Sequence, residues 1–136
     1  MGSAMDYLQG FSAFATYFSV GLGFVLLYVV LYLHATPHRE LALIREGNVA
    51  AAIALAGALL GFALPLSSAL RGATSVFDLV IWAGIALVAQ MAAYVLVRLL
   101  LRGFPARIAR GDHAAAVLSA VIHVSVGLVN AAAMSY

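Results

Sequence analysis

The sequence contains no cysteine and no lysine, and only 9% of its 136 residues carry a charge. The absence of cysteine excludes disulfide bonds and thiolate metal sites. A soluble chain of this length could not bury its 65% of hydrophobic residues, because small domains leave much of their surface in water. A lipid bilayer is the solvent that suits this composition.

Four long runs of the sequence lack charged side chains, and they cover approximately residues 11–33, 49–70, 79–97 and 114–136. Because an α-helix rises about 1.5 Å per residue, roughly 20 residues cross the hydrocarbon core of a bilayer. No run alternates polar and apolar residues, so helices are predicted rather than strands. The first run is also too long for a signal-peptide core. The sequence therefore predicts an all-α membrane protein, with residues 1–136 forming one domain of four transmembrane helices.

The basic residues predict the orientation of the chain in the membrane. Six of the seven Arg residues lie between the first and second runs or at and after the end of the third, and only Arg71 lies on the other side. Cytoplasmic segments of membrane proteins carry an excess of basic residues. The six Arg residues are therefore predicted to lie in the cytoplasm and both termini on the opposite side of the membrane. Nucleic-acid binding is not expected, because it needs a solvated basic face.

Two segments of the chain match each other when one is shifted by 64 residues (111 − 47). The shift places Gly47 on Gly111 and Asn48 on Asp112. In each segment the glycine can end a short helix in a left-handed conformation, and the following Asn or Asp can cap the next membrane helix. An internal repeat of residues 11–70 and 75–134 is predicted. Each unit has two membrane helices joined by a short interfacial helix, and the two units run parallel.

The segment after the first run carries residues suited to opening a short helix. Thr36 can provide the N-cap, Pro37 the first helical position, and Glu40 a favourable charge near the helix N-terminus. His38 and Glu40 could alternatively bind a metal or a protein partner. The same residues are also explained by a helix cap whose neighbouring charged side chains lie in water, and this is the interpretation that we expect.

These sequence patterns resemble a known family, the YjfL-like bacterial inner-membrane proteins, which are grouped as domain of unknown function 350. The resemblance rests on residues 36–40, 47–52, 57–69, 82–87 and 130–134. It implies four membrane helices, a tandem two-helix domain and an inner-membrane location. It implies no biochemical activity, because the family has no assigned function.

His123 is the principal candidate for a functional residue. It lies near the middle of the fourth run, where an ionisable side chain is costly and usually faces the interior of a bundle. Ser119 and Asn130 lie on the same helical face, and Gln90 is at a comparable depth in the third run. A hydrogen bond between Gln90 and His123 is predicted. These four residues could form a polar waist for a substrate or proton, or hydrogen bonds that only hold helices together.

The second run contains a small-residue motif, because Gly57 and Gly61 form a GxxxG pair that Pro65 extends by four residues. Small residues let another helix approach closely, so this face is predicted to serve helix packing or dimerisation. Pro65 is expected to kink the helix. A homo-oligomer is predicted, most simply a two-fold dimer.

Two functions agree with the sequence. The first is a small transport or channel-like protein with its polar waist at His123. The second is a non-catalytic scaffold or accessory subunit that binds partner proteins or anionic lipids through its Arg-rich segments. No enzyme activity, metal or cofactor is expected, because no acid–base pair or phosphate loop is visible. His34 and His113 lie at similar depths, so a haem held by these two residues is a further alternative.

Overall fold

The structure is a computed structural model that describes residues 3–37 and 39–134. Its regular structure in these residues is entirely helical. The helices, in chain order, are α1 Ala4–Ala35, α2 Glu40–Arg45, α3 Val49–Gly72, α4 Val76–Leu100, α5 Phe104–Ala109 and α6 His113–Ala133. The short helices α2 and α5 connect α1 to α3 and α4 to α6, so both lie at one end of the bundle. We call this the Arg-rich end, and we call the opposite end, where α1 begins and α6 finishes, the terminal end.

Four of the described helices, α1, α3, α4 and α6, are long and apolar enough to cross a membrane. They agree with the four predicted runs, and α3, α4 and α6 begin within three residues of the start of their runs. The largest difference is at α1, which begins at Ala4 rather than near Phe11. Ser3 and Asp6 cause this extension, because each side chain accepts a hydrogen bond from the backbone amide of the other, at 3.3 and 2.9 Å.

Helices α3 and α6 form the central pair of the bundle, and glycines allow their backbones to meet. A Cβ atom at Gly57 would overlap Ala120, and one at Gly61 would overlap the carbonyl oxygen of His123. A Cβ atom at Gly127 would overlap the carbonyl oxygen of Gly61. The GxxxG face therefore packs within the chain. Of the two predicted roles, helix packing is the one that the structure shows, with α6 as the partner helix.

Helices α1 and α4 pack beside this central pair. The Tyr28 ring stacks on Phe62 of α3 at a centroid distance of 4.8 Å. Gly21 faces Leu70, near the C-terminal end of α3. On α1 the buried positions begin at Gly21, and the preceding residues are exposed or half-buried. The fully buried positions of α1 therefore lie in its C-terminal half, and Tyr17 and Val20 before them are half-buried against the core.

The two predicted boundaries at the Arg-rich end are confirmed. Gly47 and Gly111 adopt left-handed conformations with φ of 87° and 79°. The Asn48 side chain caps α3 by accepting a hydrogen bond from the Ala51 amide at 3.0 Å, and Asp112 caps α6 in the same way. Asn48 also donates to the carbonyl oxygen of Ile108 at 3.0 Å, which holds α5 against the start of α3.

The predicted cap of α2 is wrong. The Thr36 amide donates to the carbonyl oxygen of Tyr32 at 3.0 Å, and the Thr36 hydroxyl donates to that of Leu33 at 3.2 Å. Thr36 therefore ends α1, because its groups satisfy the carbonyls that a helix C-terminus leaves open. Helix α2 begins later, at Glu40, with Arg39 at its N-cap position and no side-chain cap.

Pro65 lies buried within α3, and the helix continues on both sides of it. Ser68, one turn later, donates a hydrogen bond to the carbonyl oxygen of Ala131 in α6 at 3.1 Å. This bond adds a polar tie between the central helices near the terminal end. The predicted kink stays a prediction.

Candidate functional site

Polar side chains from four helices meet inside the bundle, and each is at most 5% exposed to solvent. We call this group the interior cluster. Its members are Tyr28 and Tyr32 of α1, Glu40 of α2, Gln90 and Tyr94 of α4, and Ser119 and His123 of α6.

The three long helices each contribute two residues spaced four apart, which places both on one helical face. The sequence analysis identified Gln90, Ser119 and His123 but missed the three tyrosines. The i, i+4 spacing of Tyr28 and Tyr32 was the signal that could have found them.

The His123 ring has one nitrogen bonded and one without a partner. Its Nδ1 lies 2.9 Å from the carbonyl oxygen of Ser119. Because a carbonyl only accepts hydrogen bonds, Nδ1 carries the hydrogen and donates it. In a neutral ring, Nε2 is then the basic nitrogen. Nε2 is buried and has no hydrogen-bond partner among the described residues.

Gln90 forms the predicted hydrogen bond with His123, but with its backbone and not with its ring. Its Nε2 donates to the backbone carbonyl oxygen of His123 at 3.1 Å. The carbonyl is accessible because Gly61 has no side chain to cover it. Asn130, which is half-buried, donates to Oε1 of Gln90 and to the carbonyl oxygen of Ala86, both at 3.4 Å. The predicted residues do come together, with Gln90 linking His123 to Asn130.

Aromatic rings surround His123 on the side toward the Arg-rich end. Its ring centroid lies 6.0 Å from that of Tyr32 in an edge-on arrangement and 6.5 Å from that of Tyr94. Tyr32 and Tyr94 contact each other edge-on at 5.3 Å. The Tyr94 hydroxyl accepts a hydrogen bond from Arg98 at 3.3 Å. Tyr94 therefore connects the cluster to the exposed arginines of the Arg-rich end.

Glu40 is the unexpected member of the cluster, because the sequence analysis described it as a solvated charge. It is 2% exposed. Its carboxylate lies within electrostatic range of Tyr28, Tyr32, Tyr94 and His123. The solvated reading was wrong because α2 begins at Glu40, which turns this residue inward while Arg39 remains exposed.

Four buried polar atoms of the cluster have no hydrogen-bond partner within residues 3–37 and 39–134. They are the hydroxyl oxygens of Tyr28, Tyr32 and Ser119 and Nε2 of His123. Burying such groups without partners costs free energy, and in native proteins they commonly indicate bound water, an ion or a functional role. Hydrogen bonds among the described residues therefore do not account for these four atoms.

The interior cluster is closed toward the terminal end and bounded by a cavity at the Arg-rich end. Toward the terminal end, the backbones of Gly61 and Gly127 are in direct contact, and the Gln90–Asn130 bond lies beside them. At the Arg-rich end, a cavity of about 280 Å³ is lined by Leu33, Thr36, Pro37, Arg39, Glu40, Leu41 and Ala42. Glu40 thus belongs both to this cavity and to the cluster.

The remaining predicted site residues have structural roles or lie elsewhere. His38 lies outside the described residues. Asp112 accepts a hydrogen bond from Nε of Arg107 at 2.7 Å, and this bond, with that from the Ala115 amide, lowers the pKa of the Asp112 carboxyl. His34 and His113 are both exposed near the Arg-rich end.

Comparison with known proteins identifies the family. The family model described as Domain of Unknown Function (DUF350) matches residues 6–134. The chain belongs to this family. It is also 37% identical to "UPF0719 inner membrane protein YjfL" of Escherichia coli strain K12 over 132 residues, which are 97% of this chain and 100% of that protein. The corresponding protein of strain O157:H7 matches equally well. No solved structure matches the chain.

The family assignment confirms the resemblance that the sequence suggested. Together with the four apolar helices, it makes the chain a small inner-membrane protein of an uncharacterised family. Because the family description assigns no activity, the function must be argued from the interior cluster.

Proposed function

We propose that this protein transports a small ion across the inner membrane and that the interior cluster is its ion site. The observation that supports this proposal is the burial of Glu40 and His123 together with three tyrosines inside a membrane protein. Ionisable residues inside a membrane are expensive, and they usually mark ion pathways or proton relays. The four unpartnered polar atoms support the same conclusion, because structural hydrogen bonding leaves them unexplained.

The orientation that we propose follows from the exposed arginines. Arg39, Arg45, Arg98, Arg102 and Arg110 are exposed at the Arg-rich end, whereas Arg71 is at the terminal end. The excess of basic residues favours a cytoplasmic location for the Arg-rich end. The interior cluster would then be accessible from the cytoplasmic end of the bundle, and both termini would lie in the periplasm.

We also propose that the chain is a tandem repeat with interfacial short helices. The order of one long, one short and one long helix occurs twice, and both junctions have a left-handed glycine followed by a side-chain cap. The interior cluster does not follow this repeat, because the 64-residue shift places His123 on Leu59 and Gln90 on Leu26. The ion site would therefore be a specialisation of a duplicated scaffold.

A homo-oligomer remains part of the proposal, but the GxxxG face no longer supports it. Helix α6 occupies that face within the chain. An oligomer would have to use other surfaces, and the mass of the complex in detergent would measure it. The proposal includes no enzymatic activity.

The transport proposal can be tested with purified protein in vesicles of phosphatidylethanolamine and phosphatidylglycerol on a solid-supported membrane. Gradients of protons, K⁺, Na⁺ or Cl⁻ are applied one at a time, and the capacitive current is compared with that of empty vesicles. We expect a current from at least one gradient and its loss in His123→Leu at an unchanged unfolding temperature. Absence of current under all four gradients would contradict the proposal.

The second candidate function is a membrane scaffold, and the exposed arginines favour it. Exposed basic clusters beside a membrane attract anionic lipid headgroups, at about 1 kcal/mol per residue. A triple variant, Arg45→Gln, Arg102→Gln and Arg110→Gln, separates the two functions. If the protein is a scaffold, this variant no longer binds vesicles of anionic lipid, whereas His123→Leu changes only the stability of the protein.

A further inference from the structure

We infer that the transported ion is the proton and that Glu40 admits it from the Arg-rich end to His123. This inference rests on the transport function proposed above and names its cargo. The argument uses the space in the site, the chemistry of its groups and the side on which it is closed.

The site has little space for anything larger than a proton or a water molecule. Gln90, Ser119 and His123 are 0% exposed, and so are Tyr28 and Tyr32. The rings of Tyr32, Tyr94 and His123 are in mutual contact. A hydrated K⁺ or Na⁺ ion would need these rings to separate, whereas a proton needs only groups that can accept it.

The groups in the site are suited to accepting and releasing protons. His123 has its Nδ1 hydrogen committed to Ser119, so a proton can add only at Nε2. The basic nitrogen of an imidazole can accept and release a proton, and a carboxylate is a second acceptor. The hydroxyls of Tyr28 and Tyr32 lie in the same cluster and can donate and accept hydrogen bonds.

The charged and titratable groups around Glu40 are consistent with this role. The Glu40 carboxylate is within electrostatic range of Tyr28 and Tyr32 of α1, Tyr94 of α4 and His123 of α6. Arg39 is adjacent in the chain but exposed, and Arg98 is exposed beside Tyr94. Helix α3 has no charged residue before Arg71, so it adds no charge to this region. His123 is the basic group that the described residues place inside the cluster.

The direction of access follows from the two ends of the cluster. Glu40 lines the cavity of about 280 Å³ at the Arg-rich end. On the other side of His123, the Gly61–Gly127 contact leaves no space between α3 and α6. The Gln90 and Asn130 amides beside it hydrogen-bond but do not titrate near neutral pH. In this conformation the α3–α6 interface is closed beyond His123, so we assign proton entry to the Arg-rich end, where Glu40 lines the cavity.

The proton balance of the step is simple. A hydronium ion in the cavity gives its proton to the Glu40 carboxylate, which leaves a water molecule and a carboxylic acid. Transfer to Nε2 of His123 restores the carboxylate and gives an imidazolium ion. For transport, Nε2 then releases the proton to water at the terminal end, in a second conformation in which the α3–α6 contact is open, and the ring becomes neutral again. One positive charge has then crossed, and only O–H and N–H bonds have changed.

The test uses the same vesicles and separates the cargo from the transport function. We expect a current from the pH gradient but not from gradients of K⁺, Na⁺ or Cl⁻. Glu40→Gln and His123→Gln should each reduce this current at least tenfold. Glu46→Gln is the matched control, because Glu46 is an exposed acid at the end of the same short helix and should leave the current unchanged.

Further outcomes are informative in either direction. Glu40→Asp keeps the acid, and we expect it to retain a measurable pH-driven current. That result would show that the loss of current in Glu40→Gln comes from removal of the acid and not from a folding defect. A current from another ion with none from the pH gradient would overturn the proton inference and leave the transport proposal standing. Equal currents in Glu40→Gln, Glu46→Gln and the unchanged protein would overturn the role of Glu40.

Discussion

Gly61 of α3 and Gly127 of α6 are in direct backbone contact at the centre of the bundle. This contact holds the two central helices together and closes the interior cluster toward the terminal end. No side chain fits between these positions, so the closure depends on glycine at both.

Replacing either glycine with alanine should destabilise the bundle. A Cβ atom at Gly127 would overlap the Gly61 carbonyl, and overpacking of this kind costs about 1–3 kcal/mol. We expect a lower unfolding temperature for Gly61→Ala and Gly127→Ala in detergent. Gly84→Ala is the control, because a Cβ atom there has no neighbour within 4 Å, and its stability should be unchanged or higher. Equal unfolding temperatures for Gly127→Ala and Gly84→Ala would disprove the tight contact.

Removing unpartnered hydroxyls from the interior cluster should not weaken the fold. Tyr32→Phe and Ser119→Ala delete buried oxygens that have no hydrogen-bond partner among the described residues, so no bond is lost. Gln90→Leu deletes two hydrogen bonds, each worth about 0.6 kcal/mol on average in membrane proteins. Chemical denaturation in detergent should show unchanged or increased stability for the first two variants and about 1 kcal/mol of loss for the third. A loss in Tyr32→Phe as large as that in Gln90→Leu would show that its hydroxyl is structural.

Asp112 should make the stability of the protein depend on pH in the acidic range. The hydrogen bond from Arg107 lowers the pKa of Asp112 below its ordinary value of 3.8. A carboxyl whose pKa is lowered by folding stabilises the folded state above its unfolded pKa, and the stabilisation is lost as the pH falls through the folded pKa. Stability should therefore decrease below about pH 4 in the unchanged protein.

Two variants isolate this contribution. Asp112→Asn keeps a side chain that can cap α6 but removes the titrating group, so the acidic decrease should become smaller. Arg107→Gln removes the donor and should have the same effect. Unfolding followed between pH 3 and pH 6 measures the slope. An unchanged slope in Arg107→Gln would rule out this ion pair as the cause.

The proposed orientation can be tested by labelling single cysteines, since the natural sequence has none. Thr74 is exposed in the connection at the terminal end, and Ala109 is exposed at the Arg-rich end. In spheroplasts, a membrane-impermeant maleimide should label Thr74→Cys but not Ala109→Cys, and both should react after the membrane is opened. The reverse pattern would place the termini in the cytoplasm.

Much of the architecture could be predicted from the sequence because lipid imposes strong local rules. An uncharged run of about 20 residues must be helical in a bilayer, whatever it packs against. The caps at Asn48 and Asp112 were equally predictable, because a glycine followed by Asn or Asp satisfies local backbone groups. The polar stripe of Ser119 and His123 followed from helical periodicity alone.

Tertiary structure decided which faces meet and which atoms are left without partners. The GxxxG motif predicts close approach but not its partner, and α6 proved to be that partner. By sequence, Thr36 could cap the following helix or end the preceding one. In the structure its hydroxyl bonds to Leu33 of α1, so it ends the preceding helix. Glu40 lies in a polar segment and was expected in water, yet the start of α2 turns it toward the tyrosines of α1 and α4. Burial of that charge depends on contacts between residues far apart in the chain, which local sequence patterns do not encode.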